Sequence, residues 1–397
     1  MVKWTLVQEL ISNSLVQGFP GGQLLVEKSG EVLFDHSFGS TVLTKCSKED
    51  GVLKVDRGEA ITSDTLFDIA SLTKIFAVTY LFQVYAAKMP AIVEKRVGEL
   101  LQETTQFKGM VIPEEVANIP IKALLSHHAG FEPNPLFYDP AYSKELYCQS
   151  REQFARYLVK APLIHSPQTI GLYSDVDFML LTFILEAIGG KSLEQLLQEI
   201  FWAPLGLTKI MYQPLEKGIP LSQIAATERQ GNTRDGLYHY PNIRSKMIHG
   251  EVQDEKAFYC LEGISGHAGL FSNAQTLLSL FRLMYQPNLF FNQQVLDQFL
   301  TPHYLDQTFG LGWRLNGEDM RYMFGDYASR YAFGHTGWTG CLITHDPLYE
   351  LTIIYLTNRK NTPVVNPLEN PRLFYGDQLP AGKYLNIIHA IYQDLGI

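Results

Sequence analysis

The chain has 397 residues, 46% apolar and 18% charged, a balance that excludes disorder and suffices for a sizeable core. Its net charge of −9, with no basic block anywhere, excludes a phosphate-backbone partner, so no nucleic acid is expected. No apolar run approaches the roughly 20 residues of a membrane span, and four scattered cysteines (Cys46, Cys148, Cys260, Cys341) lack the close pairs of a zinc or redox motif.

In chain order, MVKWTLVQELISNSLVQG repeats apolar residues at helical spacing (Trp4, Leu6, Val7, Leu10, Ile11, Leu15, Val16). Gln8 and Glu9 interrupt the run and no small-residue cleavage site follows. It therefore predicts an amphipathic first helix rather than a signal peptide, and a cytoplasmic location. From Gly21 to about Thr65 the pattern is strand-like, and GQLLVEKSGEVLFDHSFG predicts a hairpin turning at Lys28-Ser29-Gly30. The stretch from Ser71 to about Tyr285 is mostly helical, with Pro- and Gly-rich loops. Strands return after about Thr308, where FGHTGWTGCLITHDPLYELTIIYLTNR turns at Asp346-Pro347, and KYLNIIHAIYQDLG closes the chain as an amphipathic helix. Strands flanking a helical middle pack most simply as one antiparallel sheet built from both chain ends and covered by the terminal helices. The expected class is α+β. One catalytic unit is divided into an α/β lobe of about 1–66 and 306–397 and a helical lobe of about 67–305, with the site in the cleft between them.

FDIASLTKIFAVTYL, residues 67–81, opens the helical region at that boundary and is apolar on every side, so a helix beginning at Ser71 is buried all round. Ser71 and Lys74 share a helix face. Burial lowers an ammonium pKa from its reference near ~10.4. A lysine neutral part of the time can take the serine proton and leave a nucleophile. Backbone N–H groups and the positive dipole end at the helix start favour a developing oxyanion. A plainer account makes Ser71 an N-cap and Lys74 a snorkelling first-turn residue, and Ser-x-x-Lys arises about once by chance in a chain this long. The pair has company, however. GLYSDVDFMLLTFILEAIGG places Tyr173 just before another apolar helix, and FGHTGWTG places His335-Thr336-Gly337 on a C-terminal strand.

Other motifs carry less. Gly-Lys-Ser in AIGGKSLEQLL lacks the earlier glycine of a phosphate loop; Gly189-Gly190 ends one helix and a Ser192/Gln195 capping box starts the next. Adjacent His127 and His128 point different ways on a helix, with no second ligand cluster at suitable spacing, so they read as structural or cleft-lining. His267 in GHAG reads likewise, with a possible substrate contact from its glycine-rich loop. Tyr138, Tyr142, Tyr238, Tyr240 and Trp338 fall in loops near which a cleft can form. No G-x-S-x-G elbow occurs, which argues against an α/β-hydrolase.

Ser-x-x-Lys, a second motif opening with tyrosine and a His-Thr-Gly third motif resemble the class C β-lactamase-like branch of the β-lactamase and penicillin-binding protein superfamily. PGGQLLVEKSGEVLFDHSFG, TLFDIASLTK, LLSHHAG, YSDVDFMLL, GISGHAGLFS, HTGWTG and YLTNR follow that branch in order over nearly the whole chain. GEVQDEKA followed by GHAGLFS is most similar to a subgroup that includes low-molecular-weight penicillin-binding proteins and N-acetylmuramyl-L-alanine amidases. The resemblance implies a β-lactamase/transpeptidase-like fold. It implies Ser71 as the acylated nucleophile, Lys74 as its proton-handling partner and Tyr173 as the base in acylation and deacylation. It further implies an oxyanion hole from the backbone N–H groups of Ser71 and Trp338, and substrate contacts from Asp175, His335, Thr336 and Gly337. A tyrosine between two ammonium-like neighbours is expected to have its pKa pulled down.

Three positions depart from the pattern. Asp175 replaces the asparagine of Tyr-x-Asn, an anion that holds Lys74 charged more strongly. His335 replaces a permanent cation with one only partly charged near pH 7, which predicts weak grip on a carboxylate and poor β-lactamase activity. Gln253 stands where the amidase-like subgroup commonly has histidine. The implied function is hydrolysis of an amide or ester through a Ser71 acyl-enzyme. The expected substrate is a peptidoglycan-derived peptide, as in a D-Ala carboxypeptidase or muramyl-peptide amidase. Alternatives are a small-ester carboxylesterase and a non-catalytic β-lactam-binding sensor or scaffold. No metal or organic cofactor is expected, and the oligomeric state is open.

Overall fold

The structure is a computed structural model describing residues 2–49, 52–101, 107, 109–317 and 320–397. The expected hairpin forms as β1 (Gly21–Lys28) and β2 (Glu31–Gly39). Its two linking residues, Ser29 at φ +50° and Gly30 at φ +81°, adopt the left-handed conformations that match a tight turn to the strand twist. β3 (Leu43–Glu49) and β4 (Val52–Arg57) pair antiparallel as a separate two-stranded sheet.

Residues from both chain ends then join one antiparallel sheet. Its order is β2-β1-β11-β10-β9-β8, with β8 at Arg314–Leu315, β9 at Phe333–Gly337, β10 at Cys341–Asp346 and β11 at Leu351–Thr357. β11 pairs with β1 (Leu24 opposite Tyr355) and β10 with β9 (Ile343 opposite His335). Alternate side chains divide between two cores, as the two-residue period of a strand requires. Leu24, Val26, Leu342, Ile353 and Tyr355 pack with Val7 and Ile11 of the N-terminal helix (Thr5–Val16) and Ile387, Ile388 and Ile391 of the C-terminal helix (Tyr384–Leu395). Leu25, Ile343, Ile354 and Leu356 face the opposite core, which runs through the helical region. Leu6 and Val16, counted in the apolar stripe of the first helix, are exposed instead.

A small three-stranded sheet, β5 (Phe67–Asp68), β6 (Ile210–Met211) and β7 (Phe271–Ser272), ties the segment before Ser71 to the far end of the helical region. The helix Ala274–Phe281 lies on the inner face of the large sheet, with Leu277, Leu280 and Phe281 in the same core as Leu25 and Ile354. Gly190 (φ +66°) ends the helix Asp175–Gly189, and the Ser192/Gln195 capping box starts the next, as the residue types require. Among the described residues no helix is long and apolar enough to cross a membrane. All four cysteines are free thiols, three of them buried.

Candidate active site

The turn that carries Ser71 differs from a plain helix start. Ala70–Leu72 is a 3₁₀ turn, Lys74–Thr79 is π-helical, and a regular α-helix begins only at Tyr80. The all-round apolar pattern is common to both geometries, so periodicity does not separate them, whereas π turns recur at functional sites. Ala70 sits at φ +45°, a conformation costing a non-glycine residue about 1–3 kcal/mol. Asp68 holds it there by accepting the Ala70 N–H at 2.8 Å. The same residue accepts the Gln253 N–H at 2.6 Å and, through its carbonyl, the Thr339 hydroxyl at 2.7 Å. Asp68 thus pins three segments around Ser71. Burial pushes its carboxyl up to about 6, against the pull of the two N–H donors. Nothing in its sequence position marks this role.

Lys74 is fully buried, with acceptors on several sides of its ammonium. It donates to Ser71 Oγ at 3.1 Å, to Asp175 Oδ1 at 2.7 Å and to the His267 carbonyl at 3.1 Å. The expectation of a partly neutral lysine is corrected here. Burial does favour the neutral form, but Asp175 and Tyr173 outweigh it and raise the pKa above its ordinary value. Tyr173 is corrected likewise: burial raises its phenol, and the Lys74 ammonium opposes the rise without overcoming it. Its ring lies 4.9 Å from Lys74 Nζ, and the phenol faces both Lys74 and Ser71 closely enough for each to draw on it.

Asp175 opens the helix Asp175–Gly189 and bridges two cations, since Lys256 Nζ lies 3.2 Å from its Oδ2. Burial works against its ionised form, yet Lys74 and Lys256 hold the carboxyl well below the usual carboxylate range. Lys256 also lies 3.5 Å from Asp254, which accepts from His267 Nε2 at 2.8 Å if that nitrogen is protonated. One donor atom each from Asp175, Asp254 and His267 fall within 4.8 Å of one another, a spacing suited to a cation. The carboxylate lone pairs a metal would need are engaged by the two ammonium groups.

His335 projects from β9 beside Tyr173, ring centroids 5.9 Å apart. Its Nδ1 lies 2.7 Å from the Thr336 carbonyl, which can only accept, so Nδ1 carries the proton and Nε2 a lone pair. Burial, then the field of Lys74, lowers its pKa to about 3. The expected partial charge near pH 7 is therefore absent: the imidazole is neutral. At the end of β9, a Cβ on Gly337 would stand 2.5 Å from the Ile69 carbonyl oxygen, which explains the glycine and shows how closely this strand abuts the Ser71 turn.

Ser71, Tyr173, Asp175, His335, Thr336 and Trp338 line one cleft of about 890 Å³. Lys74 lies beneath its floor, and Gly337 sets the strand end. Tyr138, Tyr142, Tyr238 and Tyr240, left unassigned by sequence reasoning, line the same cleft together with Arg314 and Arg372. Lys256 and Asp254 were present in the quoted GEVQDEKA, but their roles depend on a partner some 80 residues away, Asp175.

The D-amino acid amidase of Ochrobactrum anthropi SV3, solved with D-phenylalanine, shares this architecture at a TM-score of 0.65 and 17% identity, over 98% of each chain. The fold is β-lactamase/transpeptidase-like. Residues 7–377 match the family model "Beta-lactamase". The chain is 40% identical over 393 residues to the N-acetylmuramyl-L-alanine amidase of Bacillus subtilis (strain 168), covering 98% of this chain and 88% of the relative. It is 37% identical over 391 residues to a protein of Escherichia coli (strain K12) named "Putative D-alanyl-D-alanine carboxypeptidase", covering 97% and 89%. The chain belongs to the Beta-lactamase family and is a serine hydrolase.

Proposed function

We propose that the protein hydrolyses a peptidoglycan-derived amide through an acyl-enzyme on Ser71. The observation that carries this is the contact of the Ser71 hydroxyl with a fully charged, buried Lys74 at 3.1 Å, faced by Tyr173, in an open cleft. Because Asp175 keeps Lys74 charged, Tyr173 is the group that yields a proton to arm the site, and Lys74 stabilises the phenolate. Ser71 Oγ then adds to the scissile carbonyl carbon while its proton passes to the Tyr173 oxygen. The backbone N–H groups of Ser71 and Trp338 receive the oxyanion. Collapse breaks the bond to the leaving nitrogen, which takes that proton. Water gives a proton to Tyr173, adds to the acyl carbon, and releases Ser71, which recovers the proton.

The 40% identical amidase and the 37% identical carboxypeptidase-named relative support a muropeptide or D-alanyl peptide as substrate. The neutral His335 favours a second reading, a small-ester carboxylesterase, because an ester needs no fixed cation for a carboxylate. A cytoplasmic location belongs to the proposal and is supported by four unpaired cysteines. The test is hydrolysis of a MurNAc-L-alanyl peptide, an acyl-D-Ala-D-Ala peptide and p-nitrophenyl esters by wild type and Ser71→Ala. Turnover that vanishes in the variant supports the mechanism, and the preferred substrate selects the reading. Turnover of none of these by wild type points to the sensor.

A further inference from the structure

We propose that His127 is a positioning residue that clamps Tyr173 from both sides of the chain and holds its phenol toward Ser71, with Asp177 fixing the clamp. This rests on Tyr173 being the base. His127 follows the helix Ile121–Leu125 at φ +58°, a conformation unusual for a residue with a side chain. From there its carbonyl accepts the Leu172 N–H at 2.8 Å, and its ring Nδ1 accepts the Ser174 N–H at 3.2 Å. These are the two neighbours of Tyr173 in the chain. The imidazole also lies against the phenol ring, centroids 4.3 Å apart, and is backed by Phe178 at 5.1 Å and Phe309 at 5.5 Å. One residue thus grips the backbone before the tyrosine through its carbonyl, and the backbone after it and one face of its ring through its side chain.

The same nitrogen lies 2.8 Å from Asp177 Oδ2. With Ser174 N–H donating to Nδ1, that nitrogen holds its one lone pair, the proton in the short contact belongs to Asp177, and the lone pair is shared between the close O–H and the longer N–H. Asp177 is then a carboxylic acid donating to a neutral imidazole protonated at Nε2. An imidazolium–carboxylate pair would set Nδ1–H against Ser174 N–H, two donors facing each other. The surroundings agree. Burial first, then the Lys74 and Arg314 cations, hold His127 well below its ordinary range, with Asp175 opposing. Burial raises Asp177 well above its own range against Lys74. A neutral clamp grips the tyrosine without setting a charge against the Lys74 field.

A misplacement of about 1 Å at a reacting group costs about 10²-fold in rate. We expect His127→Ala to lower kcat for p-nitrophenyl acetate by about 10²-fold with KM little changed. His127→Asn, whose amide oxygen falls near the Nδ1 position, retains most of the activity, as does Asp177→Asn, whose amide N–H replaces the acid donor. In wild type, nitrogen NMR of His127 should show the neutral Nε2–H tautomer throughout pH 5–8. Wild-type turnover by His127→Ala, or an Nδ1–H or imidazolium signal, overturns the proposal. The NMR result stands even where the alanine variant fails to fold. Full activity in Tyr173→Phe removes the base assignment itself, and the proposal with it.

Discussion

Replacing Asp175 by asparagine separates the stabilising role of this carboxylate from its control of the site's protonation. At 2.7 Å from Lys74, a unit charge pair is worth about 6 kcal/mol at an effective dielectric of ~20 and about 1.5 kcal/mol at that of water. Asparagine keeps an acceptor for the ammonium but not the charge. Stripping a partner from a buried pair costs about 3–5 kcal/mol. Here Asp254 still faces Lys256, and Lys74 can release its proton, so we expect the lower end, about 3 kcal/mol, seen as a melting-temperature drop on the order of 5 °C. Asp175 raises both Lys74 and Tyr173. Without it both pKa values fall, and the armed form is populated at lower pH. The alkaline rise of kcat/KM for p-nitrophenyl acetate should therefore move toward neutrality by a pH unit or more. The linkage has a matching sign. A raised Lys74 stabilises the fold below its unfolded pKa and loses that contribution as pH rises through the folded value, so in the variant, with a lower folded value, that alkaline loss is smaller. A profile that stays put while the protein melts earlier refutes the control of protonation, and an unchanged melt refutes the buried-pair reasoning.

Three further outcomes are expected. His335 titrates near 3 when folded and near ~6.5 when unfolded. As pH falls between these values the unfolded chain binds a proton the folded one refuses, at up to about 1.4 kcal/mol per unit; melts from pH 6 to 4 should be flatter for His335→Gln, and parallel curves would count against a neutral buried ring. His335→Lys restores a fixed cation and should raise nitrocefin hydrolysis about tenfold relative to p-nitrophenyl acetate; an unchanged ratio would show that the cation is not what limits β-lactam turnover. Gly337→Ala forces β9 off the Ile69 carbonyl and should lower kcat about 10²-fold through the oxyanion donors; near-wild-type kinetics would show that this contact does not set their geometry.

Much of the candidate site was legible because its marks are local. Ser71 and Lys74 are three residues apart, Tyr173 heads its helix, and His335-Thr336-Gly337 lie along one strand. The sheet was legible because β11 is buried on both faces and because Ser29-Gly30 makes a hairpin turn. Protonation was not legible. The charge on Lys74 depends on Asp175 and Tyr173, each about 100 residues away, and the neutrality of His335 depends on burial and the same lysine. His127 and Asp68 escaped for a related reason: each acts through backbone groups of distant segments, which side-chain spacing does not encode.

The most direct test of the account is intact-protein mass spectrometry after acid quench of a reaction with p-nitrophenyl butyrate. The account predicts one butyryl adduct on Ser71 in wild type, greater accumulation in Tyr173→Phe if deacylation is the more impaired step, and none in Ser71→Ala, which has no turnover. Turnover that persists in Ser71→Ala, or an adduct mapped to another residue, would contradict it.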